Sequence, residues 1–219
     1  MGRGLFFWGA VVLGGLQATS MNLPLDWGWA AALLQGLSLC GLVVLLNQVS
    51  AEPVLSDGAF TTRSAFIQGL GLGWAFATVW LAGTFWWLFI SMHRYGGLSA
   101  PLAALAVLAL ALALSVYYGL AAGFYVYWRR LGSVSTWMSA ALFAATWTLA
   151  ELARGCFFTG FPWGAGGYAQ ADGLAPFLAP WVGVYGVGAV VAWLAAGLAV
   201  GGRCSRWTGL FVVLAIGLV

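Results

Sequence analysis

Residues 101–128 read PLAALAVLALALALSVYYGLAAGFYVYW, a run with no charged side chain that ends directly on Arg129 and Arg130. A bilayer-spanning helix needs about 20 mostly apolar residues, so this stretch predicts a transmembrane helix with its basic end at a membrane surface. Working outward from it, comparable runs bounded by charges or turn residues lie near 5–21, 28–47, 64–91, 134–153 and 181–201, and another begins at Trp207. The breaks between them hold Asn22 to Asp26, Glu52-Pro53 with Asp57-Gly58, Gly96-Gly97, the Arg129-Arg130 pair, the long 154–180 segment, and Arg203 to Arg206. The expected fold class is an all-α integral membrane protein, a polytopic helix bundle of about six to seven spans, with residues 1–219 forming one transmembrane domain.

Composition agrees. Hydrophobic residues make up 63% of the chain and charged residues 6%, and the mean hydropathy is +0.97. A domain with a water-facing surface does not tolerate such values. The net charge of +3 does not point to nucleic acid, because the arginines sit at the ends of apolar runs and form no basic patch. They read as topology signals. With the N-terminus in the cytoplasm, Arg3, Arg63, Arg129, Arg130, Arg203 and Arg206 fall on the inner side, and only Arg94 and Arg154 fall outside. Ala18 to Ser20 loosely imitates a signal-peptide cleavage site, but the spans that follow favour an uncleaved first helix. The final run, Trp207 to Val219, covers only about 20 Å as a helix, which predicts a last span that is truncated.

Cys40, Cys156 and Cys204 are far apart and form no Cys-x-x-Cys pair, so they read as small apolar packing residues, with no metal site and no cofactor expected. Glycines recur four residues apart in Gly69/Gly73, Gly119/Gly123 and Gly197/Gly201, a spacing that allows close helix contact and predicts a packed bundle.

Two segments carry more information. Glu151 and Arg154 stand three residues apart, so on a helix they share a face and can pair near the membrane boundary. Such a pair either lowers the cost of two charges in an apolar setting or shapes a site for a head group or partner. After it, Phe161, Pro162, Trp163 and Tyr168 lie among glycines, a composition suited to a tight turn presenting amphipathic rings at the interface. Such a turn is either an aromatic belt anchor or a lipid-contacting loop. The second segment places Trp86, Trp87 and His93 at the outer end of the third span. His93 is the one histidine of the chain and has no carboxylate or thiol near it in sequence, so neither a hydrolytic triad nor a metal site is supported.

The order of these motifs resembles one family. Trp86-Trp87 with Ser91, His93, Tyr95 and Gly96-Gly97, then Glu151-Leu-Ala-Arg154-Gly155 with Thr159-Gly160-Phe161-Pro162-Trp163, then Gly167-Tyr168-Ala-Gln170, and finally Gly183-Val-Tyr185-Gly186, are similar to successive signatures of apolipoprotein N-acyltransferase. The resemblance implies a multi-pass protein of the bacterial inner membrane. It implies transfer of an acyl chain from a phospholipid donor to the α-amino group of the diacylglyceryl cysteine of a lipoprotein, and these two lipids and the bilayer as partners. Family members perform that chemistry with a Glu-Lys-Cys triad in a nitrilase-like domain. The chain contains no lysine, so no catalytic residue is assigned and the chain alone is expected to be inactive. A small transporter or channel, or a non-catalytic membrane scaffold, remains the alternative. The spans lack the central charges and repeated halves that mark most carriers.

Overall fold

A computed structural model describes residues 3–51, 61–132, 135–173 and 175–201, and among these the chain is helical with no strand. The helices are α1 (Arg3–Asn22), α2 (Gly28–Ala51), α3 (Thr62–Thr84), the short α4 (Trp86–Ile90), α5 (Ala100–Leu131), α6 (Thr136–Cys156) and α7 (Ala179–Val200). Five of the long helical segments are long and apolar enough to cross a membrane: Gly4–Asn22, Gly28–Ala51, Thr62–Thr84, Ala100–Leu131 and Pro176–Val200.

The sixth expected span corresponds to α6, which has 21 residues but falls outside that set. Its low apolarity has a physical reason. Ser139, Glu151 and Arg154 are all buried inside the bundle, while Trp137, Met138, Leu149 and Leu152 face outward. The expected span from Trp207, with Arg203, Arg206 and Cys204, lies outside the described residues, as do Glu52-Pro53 and Asp57-Gly58.

The long helices pack as a ring in the order α1, α3, α5, α6, α7, α2, closing back on α1. Helix α2 also reaches across to α5, and every residue from Ser38 to Leu46 is buried. An all-round apolar helix belongs in such a position. The α3–α5 contact is the close one that glycine spacing predicts. A Cβ on Gly73 would stand 2.5 Å from the Ala122 Cβ, and one on Gly69 would stand 2.8 Å from Val126 Cγ2. Backbones approach here because neither glycine has a side chain to hold them apart.

Two expectations need correction. The third span does not run unbroken to residue 91, because α3 stops at Thr84 and Phe85 takes a non-helical conformation (φ −92, ψ 14). The chain resumes as α4 and then a π-helical turn, Ser91–Tyr95, in which Gly96 N–H donates to Ser91 O at 3.0 Å. Apolar residues continue through the break, so hydropathy could not mark it. Cys156 is also not a packing residue, since it is exposed at the end of α6. Cys40 is buried, 1% exposed.

Helix directions divide the loops between two ends of the bundle. One end holds Arg63, Arg129 and Arg130, where Arg130 donates to the carbonyls of Val49 (3.4 Å) and Ser50 (3.3 Å) and Arg129 to Ser139 Oγ. The other holds the 22–28 turn, the 85–99 segment and the 157–178 loop; Gly28 lies directly beneath the Asp172 carbonyl there. Reporter tags placed after residue 131 and at residue 172 should therefore lie on opposite sides of the membrane, as read by a compartment-sensitive fusion pair. Two tags on one side would overturn the helix directions.

Candidate functional site

The 157–170 loop folds back over the bundle end because two charges on α6 hold it there. Arg154 is 0% exposed and Glu151 1% exposed. A buried charge without hydrogen bonds is costly, so each must be satisfied locally. Their partners are not each other. Arg154 Nη1 donates to the carbonyls of Phe161 (2.5 Å) and Trp163 (2.7 Å), and its Nε to Tyr118 Oη at 3.1 Å. Glu151 Oε1 accepts from the Gly166 N–H at 2.7 Å. The expected ion pair between Glu151 and Arg154 is thus replaced by two separate anchors into the following loop. Arg154 is accordingly no surface charge on that side of the membrane. Of the two basic residues expected there, Arg94 alone is exposed.

Two glutamines complete the network. Gln35, in the middle of the apolar run of α2, donates through Nε2 to Gly166 O at 2.6 Å, and Gln170 Nε2 donates to Gln35 Oε1 at 2.7 Å. Gly166 is therefore held by both of its backbone polar groups, one from α6 and one from α2. Beneath Arg154 lies an aromatic cluster of Phe76, Trp80, Tyr118, Phe143 and Trp147, with Trp80 and Trp147 stacked at 6.2 Å and an interplanar angle of 11°. Tyr118 belongs to both groups, and the Arg154 guanidinium carbon stands 5.9 Å from its ring centroid. The cluster provides a rigid floor and a cation–π contact under the charge.

The turn itself is tight. Phe161 N–H donates back to Arg154 O at 2.9 Å, and Gly160 has φ +76, with the site of a Cβ only 2.0 Å from Gly155 O. No other residue fits there. Pro162 then fixes the backbone direction of Trp163.

Of the residues singled out from sequence, the structure brings together Trp87, Phe161, Pro162, Trp163, Glu151 and Arg154. The Trp87 and Trp163 rings meet edge to face at 5.9 Å, and beneath them Phe85 meets Phe161 at 5.0 Å. Both tryptophans remain exposed, at 41% and 59%. Tyr168 is exposed on the neighbouring 3-10 turn, Gly166–Gln170.

Trp86 and His93 are placed apart from this pair. Trp86 Nε1 donates to Asn22 Oδ1 at 2.8 Å, tying α4 to the end of α1. His93 Nδ1 stands 2.8 Å from Leu98 O and closes the π-helical turn. Sequence reading missed Gln35, Tyr118 and Phe85. For Gln35 a signal existed, since a polar side chain inside an apolar span calls for a partner.

No group of three or more His, Cys, Asp or Glu able to hold a metal occurs among the described residues. The site is a rim of aromatic rings over a buried polar network.

Fold and site together define a multi-pass α-helical membrane protein with a charge-anchored aromatic loop at one end of its bundle. The family profile described as the apolipoprotein N-acyltransferase N-terminal domain matches residues 14–197, and the chain belongs to that family. The apolipoprotein N-acyltransferase of Verminephrobacter eiseniae is 50% identical over 186 residues, covering 85% of this chain and 32% of the relative. That of Ralstonia nicotianae is 41% identical over 184 residues, covering 83% and 31%. That of Shewanella oneidensis is 34% identical over 156 residues, covering 70% and 29%. The chain thus spans about a third of the length of the relatives it matches.

Replacing Arg154 by Met would leave the Phe161 and Trp163 carbonyls without their donor and should cost about 3 kcal/mol. Unfolding in detergent measures this. In the same variant a Trp87→Cys/Trp163→Cys pair should lose the cross-linking efficiency it shows with Arg154 in place.

Proposed function

We propose that this chain is the membrane module of an apolipoprotein N-acyltransferase, and that its 151–168 segment helps to hold lipid during acyl transfer. The transfer itself moves an acyl chain from a phospholipid to the α-amino group of a diacylglyceryl cysteine. The observation that carries the reading is the contact of Trp87 and Trp163 above the Arg154 anchor. Two large rings are kept at fixed positions, yet they stay open to the surroundings at the end of a membrane bundle. A ring that served only as a belt anchor would not need a buried guanidinium beneath it. Site residues in this reading are Trp87, Phe161, Pro162, Trp163 and Tyr168 for lipid contact, with Glu151 and Arg154 holding them; Trp86 and His93 flank the site.

In this reading the module lies in the bacterial inner membrane with its N-terminus in the cytoplasm, and the Trp163 end faces the periplasm. The basis is the arginine distribution, with Arg63, Arg129 and Arg130 gathered at the opposite end. Because the chain has no lysine, it supplies no cationic stabiliser for the family's triad. The purified chain should therefore neither acylate a diacylglyceryl peptide nor form a thioester with a phospholipid donor, and turnover from it alone would refute the reading.

The lipid-holding role is tested in a chimera in which this chain replaces the matching third of the Verminephrobacter eiseniae relative. Trp163→Ala should lower acyl transfer per inserted molecule by about tenfold, equivalent to roughly 1.4 kcal/mol of transition-state stabilisation. Trp137→Ala, at the opposite end of the bundle, should leave turnover near normal. Equal, near-normal rates for both variants would reduce Trp163 to an anchor.

A further inference from the structure

Immediately after α6 two rings project out of the fold. Phe157 is 62% exposed and Phe158 94% exposed. The backbone that holds them there is strained: Phe158 has φ 52 and Thr159 φ 71, left-handed values that side-chain-bearing residues rarely adopt. A free loop would relax out of such a conformation and fold at least one ring inward.

This loop is fixed at both ends of the strained pair. Gly160 N–H donates to Phe157 O at 2.9 Å, Phe161 N–H donates to Arg154 O at 2.9 Å, and the Arg154 side chain holds Phe161 O. The outward position of the rings is therefore built into the fold.

A second observation indicates what the rings meet. Along α6 the outward side chains Trp137, Ala141, Ala145, Leu149 and Leu152 recur at three- and four-residue intervals, forming one apolar stripe. On a helix packed into a membrane bundle that stripe faces acyl chains. Phe157 and Phe158 follow directly on the end of that helix and are exposed as the stripe is, with the exposed Cys156 thiol between Leu152 and the rings.

We propose that Phe157 and Phe158 form a wedge inserted among the phospholipids of the leaflet that borders the 157–170 loop. The partner is the lipid surface itself. Two phenyl rings placed there leave water without occupying any cavity of the protein. The wedge does not depend on the acyl-transfer reading, since it requires only that the bundle spans a bilayer.

The test places p-benzoylphenylalanine at Phe158 in the whole chain, reconstituted into vesicles of phosphatidylethanolamine and phosphatidylglycerol, and reads the photoadducts by intact mass. The dominant adduct is expected to carry the mass of one phospholipid. The same probe at Phe157, where the backbone is unstrained (φ −77), should give the same product. Adducts to protein, or recovery of the unreacted ketone at both positions, would overturn the wedge. Phe158→Gly supplies an independent measurement. Glycine accepts the left-handed backbone, so a ring that serves only the membrane can be removed with the melting temperature unchanged or raised. A marked fall would assign the ring to the fold and refute the proposal. A lipid adduct at Phe158 together with normal turnover of Trp163→Ala would leave the wedge standing and remove the lipid-holding loop.

Discussion

The hydrogen bonds of the Arg154 guanidinium determine the shape of the loop end of this protein. One side chain donates to three acceptors: the Tyr118 hydroxyl on α5, and the carbonyls of Phe161 and Trp163 on the returning loop. Removed from water, a guanidinium keeps its donors satisfied only if acceptors are brought to it. The chain supplies two of them, both to Nη1, by doubling back through Gly160 and Pro162, while Nη2 meets no partner among the described residues, and that reversal sets where Trp163 stands. Glu151, one helical turn earlier, works in the complementary sense by offering an acceptor to the Gly166 N–H. Cation and anion therefore capture opposite backbone groups of the same loop.

The network also explains why polar side chains occur in helices that otherwise face lipid. Gln35, Ser38 and Ser139 all point inward, and Ser38 Oγ donates to the Leu13 carbonyl at 2.7 Å. In hydrocarbon each such group must find a partner within the protein. Partner choice therefore fixes helix rotation: α2 can turn only so far before Gln35 loses Gly166 and Gln170 together.

Much of the bundle was legible in the sequence, because a run such as 101–128 has no other stable home than a membrane-crossing helix. The glycine spacing also announced close helix packing, though not which helices meet at Gly69 and Gly73. The end of α3 was not legible. Phe85-Trp86-Trp87-Leu88 continues the apolar run, and the break arises from backbone dihedrals that hydropathy does not sense. At the site, the shared face of Glu151 and Arg154 could be read from their spacing, but their partners could not. Those partners are mostly backbone groups placed by a turn, and Gln35 lies 131 residues from Gly166. A periodicity argument reaches one helix at a time. It could find the charges and the rings separately without revealing that the charges fix the rings.

The position of α2 has a consequence for how the protein is made. Ser38 finds its acceptor on α1, which is translated before it, yet two other polar groups of α2 wait for later partners: Tyr125, which donates to Asn47, comes with α5, and Gly166 and Gln170 follow after α6. Until then the Gln35 amide has only lipid, water at the interface or transient helpers around it. The nascent bundle must therefore remain open on one flank until the loop after α6 has been translated. A pause in translation between α5 and that loop would extend the lifetime of the open state, and chains stalled there are the ones that membrane quality control should meet.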